Sequence, residues 1–426
     1  MIRERAATEP RLQPGIAPAE AGAPSLVLFF AFLVCSCFAA EQPPVVAQKN
    51  DPLLQHHEVR ADKLPAPFET QSAGNPPMVR SRPKDAALHV PAGFHVDLWA
   101  DGFDDPRNMV NAPNGDIFVA EPGGGKITIL RGARPDQRVT FASGLREPFG
   151  LAFHGDWLYV GLVDELVRYP YRSGQTTASG RPQHIADLPD GGHSTRNVII
   201  SPDGKKLYLA VGSASNVNDE TRTPMRAAIT EMNPDGSGSR TFASGMRNPV
   251  GLAWNPATGG LWTAVNERDG LGDDLVPDYV TEVRSGAFYG WPFSYIGKNI
   301  DPRRAGERPD LVAKAIPPSV LLQAHSAALG IAFYNGKMFP AQYRGGLFVA
   351  MHGSWNRTQR TGYKVAFVPF HDGKPATGYD DFVAGWSPDP SSRFVWGRPV
   401  GLLVMQDGSL LVSDDGAGVI WRVSYR

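Results

Sequence analysis

His193 stands in "GGHSTRN" (191–197), behind paired glycines and ahead of the apolar run Val198-Ile199-Ile200. An imidazole on such a loop can act as a general base, because its ordinary pKa lies near neutrality. A hydrogen bond to backbone is the plainer alternative for a lone loop histidine. Arginine recurs in the same setting: Arg107-Asn108, Arg146-Glu147, Arg196-Asn197, Arg247-Asn248 and Arg398 each lead into an apolar run, and His325-Ser326 holds the sixth such place. A guanidinium gives a carboxylate two parallel donors. Buried without an anion it costs several kcal/mol. Side chains of this kind converging on one point therefore call for a multiply carboxylated ligand, unless the loops bond to one another.

Two further clusters carry chemistry. "NERDGLGDD" (266–274) sets Glu267, Asp269, Asp273 and Asp274 around two glycines. Carboxylate and carbonyl oxygens on a bent loop suit a hard cation such as Ca²⁺, although the order is not that of an EF-hand; a solvated acidic turn is the alternative. "HGSWNR" (352–357) offers His352, Arg357 and a Trp355 that could stack on a flat ligand or cap a sheet. "GGGK" (123–126) is a hairpin turn, since Ala120 and Ile127 stand where a phosphate loop needs Gly and Ser or Thr. The chain has no G-x-S-x-G, no H-E-x-x-H, and no G-x-G-x-x-G between a strand and a helix. Serine hydrolase, zincin and nicotinamide chemistry thus lack support.

The elements that position these residues are short strands. Gly 46 and Pro 38 are scattered as turn signals through 426 residues. Six blocks pair a loop with an apolar run, a tight turn and a second apolar run: 105–121, 146–161, 194–212, 246–265, 326–351 and 397–415. Asn-Gly, Asp-Gly and Gly-Gly turns between such runs mark hairpins. Repetition of this kind predicts an all-β, six-bladed β-propeller over 87–426. "GVIWRVSYR" (418–426) is the strand expected to close the ring with one from the N-terminal side. In a propeller the loops leading into the innermost strands meet at the mouth of the channel, which brings His193 and the arginines together.

Residues 1–40 read as a signal peptide, with Arg3, Arg5 and Arg11 ahead of the apolar core "SLVLFFAFLV" (25–34) and small residues after it. That core falls short of the ~20 residues needed to span a bilayer, so no transmembrane segment is expected in the mature chain. The destination is the periplasm or the exterior, with lipid attachment at Cys37 as an alternative. Cys35 and Cys37 are the only cysteines, so cleavage after them leaves no disulfide or thiolate chemistry. Residues 41–86, rich in Pro, Gln and Asn, read as an extended linker or strap. The net charge of −1 gives no reason to expect nucleic acid.

From about residue 60 onward the chain resembles the soluble quinoprotein glucose/sorbosone dehydrogenase family, its sorbosone branch above all. The likeness lies in "LPAPFETQSAGNPP" (64–77), "GGHSTRN", "GMRNPVGL", "GAFYGWPF", "HGSWNR", "GYKV" and "GRPVGLLVMQDGSLLVSDD", in that order. It implies a six-bladed propeller holding pyrroloquinoline quinone (PQQ) and Ca²⁺. By position His193 matches the catalytic base, Arg247 the arginine at the quinone oxygen, and Asn248 and Arg398 cofactor contacts. Arg196 and Arg357 are further candidates for the cofactor wall. Calcium is expected at Asp269 and Gly270 after Glu267. The departures are the missing Gly-Pro at 269–270, Val400 in place of a second arginine, and Arg146-Glu147 where a glutamine belongs. The implied reaction oxidises an aldose or sugar aldehyde by hydride transfer to PQQ. A separate one-electron acceptor, a cytochrome or a quinone, is expected because the chain has no C-x-x-C-H haem motif. A calcium-dependent lactonase on a similar propeller and a non-catalytic binding propeller are the alternatives.

Overall fold

Apolar alternation interrupted by tight turns folds here into six antiparallel sheets around one axis. The computed structural model describes residues 51–426 and the backbone of Val45–Val46; the expected signal peptide and Cys37 lie outside the described residues. The innermost strands are Met109–Asn111, Leu151–His154, Arg196–Ile200, Asn248–Trp254, Ala328–Phe333 and Pro399–Val404. Each begins a four-stranded blade, numbered 1 to 6 in that order. Blade 6 takes three strands from the C-terminus and its fourth, Phe94–Ala100, from the N-terminal side. There Tyr425 pairs with Phe94 and Val423 with Val96, which closes the ring as expected. Among the described residues α-helix is confined to the single turn Pro309–Val312.

Glycine brings the inner strands together. A Cβ at Gly150 would lie 2.5 Å from the Arg196 carbonyl oxygen, at Gly251 2.5 Å from that of Leu329, and at Gly401 2.2 Å from that of Arg107. Only a residue without a side chain permits that approach. The residues just before the glycines, Phe149, Val250, Leu329 and Val400, pack on one another as an apolar plug. The place of a second arginine in the related family is therefore a plug position here. A cavity of about 340 Å³ follows the axis, lined by Met109, Leu151, Val198, Leu252, Ile331 and Leu402 from all six inner strands.

The described part of the segment read as a linker or strap, from residue 51 on, is laid over the ring. His56–His57 adds a fifth strand to blade 5 beside Tyr379 and Asp380, and Met78–Val79 runs parallel to Phe394–Val395. Between them the chain lies over two mouth loops. Phe68 N–H donates to the Leu271 carbonyl (2.7 Å) and Asn75 N–H to that of Trp355 (2.8 Å). Thr70 and Ser72 hydroxyls accept from the Asp273 and Gly272 amides at 2.8 and 3.0 Å.

Candidate active site

His193 owes its orientation to the turn before it and to the strand it faces. Its Nδ1 is 2.7 Å from the Ser213 carbonyl oxygen, and its amide donates to the same oxygen at 3.0 Å. A carbonyl can only accept, so the proton sits on Nδ1 and the lone pair on Nε2. Burial, and next to it the positive charge of Arg247, pushes the imidazole pKa down to about 4. The ring is a neutral, oriented base. Gly212 makes the room: a Cβ there would come within 2.6 Å of the His193 Cβ and 2.2 Å of Asn248 Oδ1.

The loop itself is held by two buried arginines. Arg196 Nη1 donates to the carbonyls of His193 and Thr195 (2.7 Å each), and its Nη2 donates to that of Pro189 (2.5 Å). Arg226 adds bonds to the carbonyls of Gly212, Pro189 and Asp190. Arg196, a candidate for the cofactor wall, thus gives both terminal nitrogens to main-chain oxygens and keeps only a buried Nε without a partner.

The remaining arginines fall into two kinds. Arg146 lies at the surface with Asp164 and Asp190. Arg107 pairs with Asp415 at 2.7 Å, and Asp415 in turn accepts from His352 Nε2 at 2.8 Å. Arg357 donates to the Asp273 carbonyl and pairs with Asp274, so its charge is already matched. Arg247 and Arg398 differ. Arg247 Nη1 donates to the Glu267 carbonyl (2.9 Å) and Nη2 to Asp269 (3.1 Å), while its buried Nε has no partner. Asn248 Oδ1 beside it is also buried and unpartnered. Arg398 reaches only the carbonyls of His352 and Gly353, at 3.2 Å each, and burial lowers its pKa. Buried polar atoms without partners are rare, and here they cluster beside a neutral base. A cavity of about 290 Å³ is lined by Asp105, Arg107, Glu147, Phe149 and Ser194, the last of which follows His193 in the chain.

Over residues 88–281 and 304–426 the chain matches the family model described as TrAA12-like. The chain belongs to the TrAA12-like family. An uncharacterized protein of Borreliella burgdorferi is 31% identical to this TrAA12-like chain over 357 residues, covering 80% of this chain and 91% of its own. The pyrroloquinoline quinone-dependent pyranose dehydrogenase of Coprinopsis cinerea is 26% identical over 410 residues, covering 79% of this chain and 54% of its own length. An iodide structure of the Trichoderma reesei carbohydrate-active enzymes family AA12 superposes with a TM-score of 0.72 at 21% identity, covering 82% of this chain and 100% of that one. At that identity the likeness speaks to the fold.

In this TrAA12-like chain the residues expected to bind calcium lie beside Arg247 but offer few free oxygens. Asp269 Oδ1 accepts from Asn356 (2.6 Å) and Oδ2 from Arg247. The Asp269 carbonyl accepts from Asn216 (2.9 Å) and Arg303 (2.8 Å). Glu267 turns its carboxylate to Arg268 at 2.9 Å. Among the described residues no three His, Cys, Asp or Glu side chains are grouped to hold a metal. Sequence reasoning missed Asn356, Asn216, Arg303 and Asp415. Asn356 was within a quoted motif, but its role depends on residues far along the chain.

Proposed function

We propose that this TrAA12-like protein is a PQQ-dependent sugar dehydrogenase with His193 as its base. The observation that carries the reading is the neutral His193, with Nε2 free, set beside the unpartnered polar atoms of Arg247 and Asn248. The relative from Coprinopsis cinerea, a PQQ-dependent pyranose dehydrogenase, supports it. PQQ is a planar tricarboxylate, which suits the donors that Arg247 and Arg398 leave unused. When bound, the quinone supplies the acceptor for a hydride. His193 Nε2 receives the proton of the substrate hydroxyl, and the Nδ1–H bond to Ser213 supports the charge that arrives on the ring. Arg247 and Arg398 hold and orient carboxylates in a recess of low water content, where such donors act most strongly. Phe149, Val250 and Val400 of the apolar plug line the axial cavity. Asp105 and Glu147 line the cavity at Ser194 and supply acceptors for sugar hydroxyls.

Neutral aldoses are the substrates of this reading, with sugar aldehydes of the sorbosone kind as a narrower option. The leader-like residues 1–40 support export, and a separate one-electron carrier completes turnover. A lactonase would need carboxylates and amides along the inner strands; the residues lining the axial cavity include the amides of Asn108 and Asn197 but no carboxylate.

The test is titration of the purified chain with PQQ, followed by dye reduction across a panel of aldoses and sugar aldehydes. Saturable binding with turnover on at least one neutral sugar is expected; absence of binding would sink the reading. The pH profile gives a second check. His193 is neutral above about pH 4 and protonated below it. kcat/KM is therefore expected to stay flat from neutrality down to about pH 5 and to fall about tenfold per unit below 4. An acid limb near 6.5 would mean an imidazole free of burial and of Arg247.

A further inference from the structure

The loop over 266–270 carries its positive charge in side chains. Arg303 is gripped by Asp301 through Nε (2.9 Å) and Nη2 (2.8 Å), which leaves Nη1 to reach the Asp269 carbonyl at 2.8 Å. Gly270 allows that approach. Its φ is +89°, which no proline can adopt, and a Cβ there would lie 3.1 Å from Arg303 Nη1. The Gly-Pro pair of the resembled family is thus absent for a reason: in this chain the position accommodates a guanidinium.

The charges also balance without a metal. Glu267, Asp269, Asp301 and the buried Asp278, whose Oδ1 accepts from the Glu267 amide, face Arg247, Arg268, Arg303 and His325 in one connected set, and these carboxylates raise the His325 pKa. Arg268 is wholly buried within it and also donates to the carbonyls of Pro292 and Ser294. Ca²⁺ requires six to eight oxygens at about 2.3–2.6 Å. Both carboxylate oxygens of Asp269, its carbonyl and the carbonyl of Glu267 already accept from nitrogen donors. Glu267 Oε1 is left over, but it is buried within blade 4, where its charge acts on the buried Tyr279 hydroxyl.

We infer that Arg303, with Arg247, takes the place of the divalent cation at this loop, so that quinone binding by this chain does not depend on Ca²⁺. The inference rests on the function proposed above for the same site. The test compares PQQ titrations of the whole chain in EGTA and in millimolar Ca²⁺, alongside calorimetric titration of the quinone-free chain with Ca²⁺. Wild type is expected to bind PQQ with a Kd equal within about twofold in the two buffers, and the quinone-free chain to show no calcium site tighter than about 1 mM. Arg303→Gln is expected to weaken PQQ binding about tenfold in EGTA, and Arg303→Lys to recover part of the loss. A tenfold gain in PQQ affinity on adding Ca²⁺ to wild type, or one tight calcium per quinone-free chain, overturns the inference. If PQQ binds in neither buffer the proposed function fails, and the calcium titration still decides this point. Circular dichroism of both variants separates a local effect from unfolding.

Discussion

His193→Ala is expected to lower kcat about a thousandfold while leaving PQQ affinity within about threefold, because proton abstraction by a placed base is worth about 10² to 10⁴. The split follows from geometry. The imidazole contributes one free lone pair, at Nε2, while Arg247 and Arg398 hold the donors suited to the cofactor. Added imidazole is expected to recover part of the lost rate, since Gly212 and the Ser213 carbonyl keep the vacated space and its acceptor. The measurement is steady-state dye reduction on the best sugar of the panel, with and without imidazole. A loss of less than about tenfold would send the proton elsewhere. His352 would then be the next group to examine, because Asp415 fixes its Nε2 at 2.8 Å.

Gly401→Ala tests the architecture that brings these groups together. The new methyl would lie 2.2 Å from the Arg107 carbonyl oxygen and 2.7 Å from Ser413 Oγ. Neither neighbour can retreat easily. Ser413 Oγ donates to that carbonyl at 2.7 Å and accepts from Gly401 N–H at 2.8 Å. Overpacking against backbone costs about 3 kcal/mol at such a site. For a chain of this size that corresponds to a fall in Tm of roughly 4 °C. Gly74→Ala, where no atom lies within 4 Å, is the control and is expected to leave Tm unchanged. Scanning calorimetry of both variants reads the difference. Equal Tm values would mean that the inner strands do not meet as tightly as described.

Much of this was legible in the chain. Turn dipeptides between apolar runs announced the blades, and the C-terminal run announced the closing strand. His193 could be singled out because two glycines and an apolar strand frame it. What stayed hidden depends on partners remote in sequence. Arg196 and Arg398 read alike as loop arginines, yet Arg196 gives both terminal nitrogens to carbonyls of its own loop, while Arg398 reaches two carbonyls of another loop at 3.2 Å. The oxygens of Asp269 look like metal ligands until Asn216, Arg303 and Asn356 arrive from three other segments. Val400 reads as a lost arginine and turns out to be one quarter of an apolar plug. The strap reads as linker because two-residue strands such as His56–His57 are too short to show a period, and their pairing comes entirely from the blade edge they join.

The joining of Phe94–Ala100 to Val419–Tyr425 sets an order for the birth of the molecule. The C-terminal partner is the last part of this sequence to leave the ribosome, so blades 1 to 5 can form while the sixth still lacks three of its four strands. Until then Phe94–Ala100 waits as an unpaired edge, open to pairing with any other extended chain. Removal of Val419–Arg426 would take away the whole closing strand and lengthen that wait indefinitely. Nascent chains are therefore most exposed to misassembly until Val419–Tyr425 has been made, however much of the ring is already built.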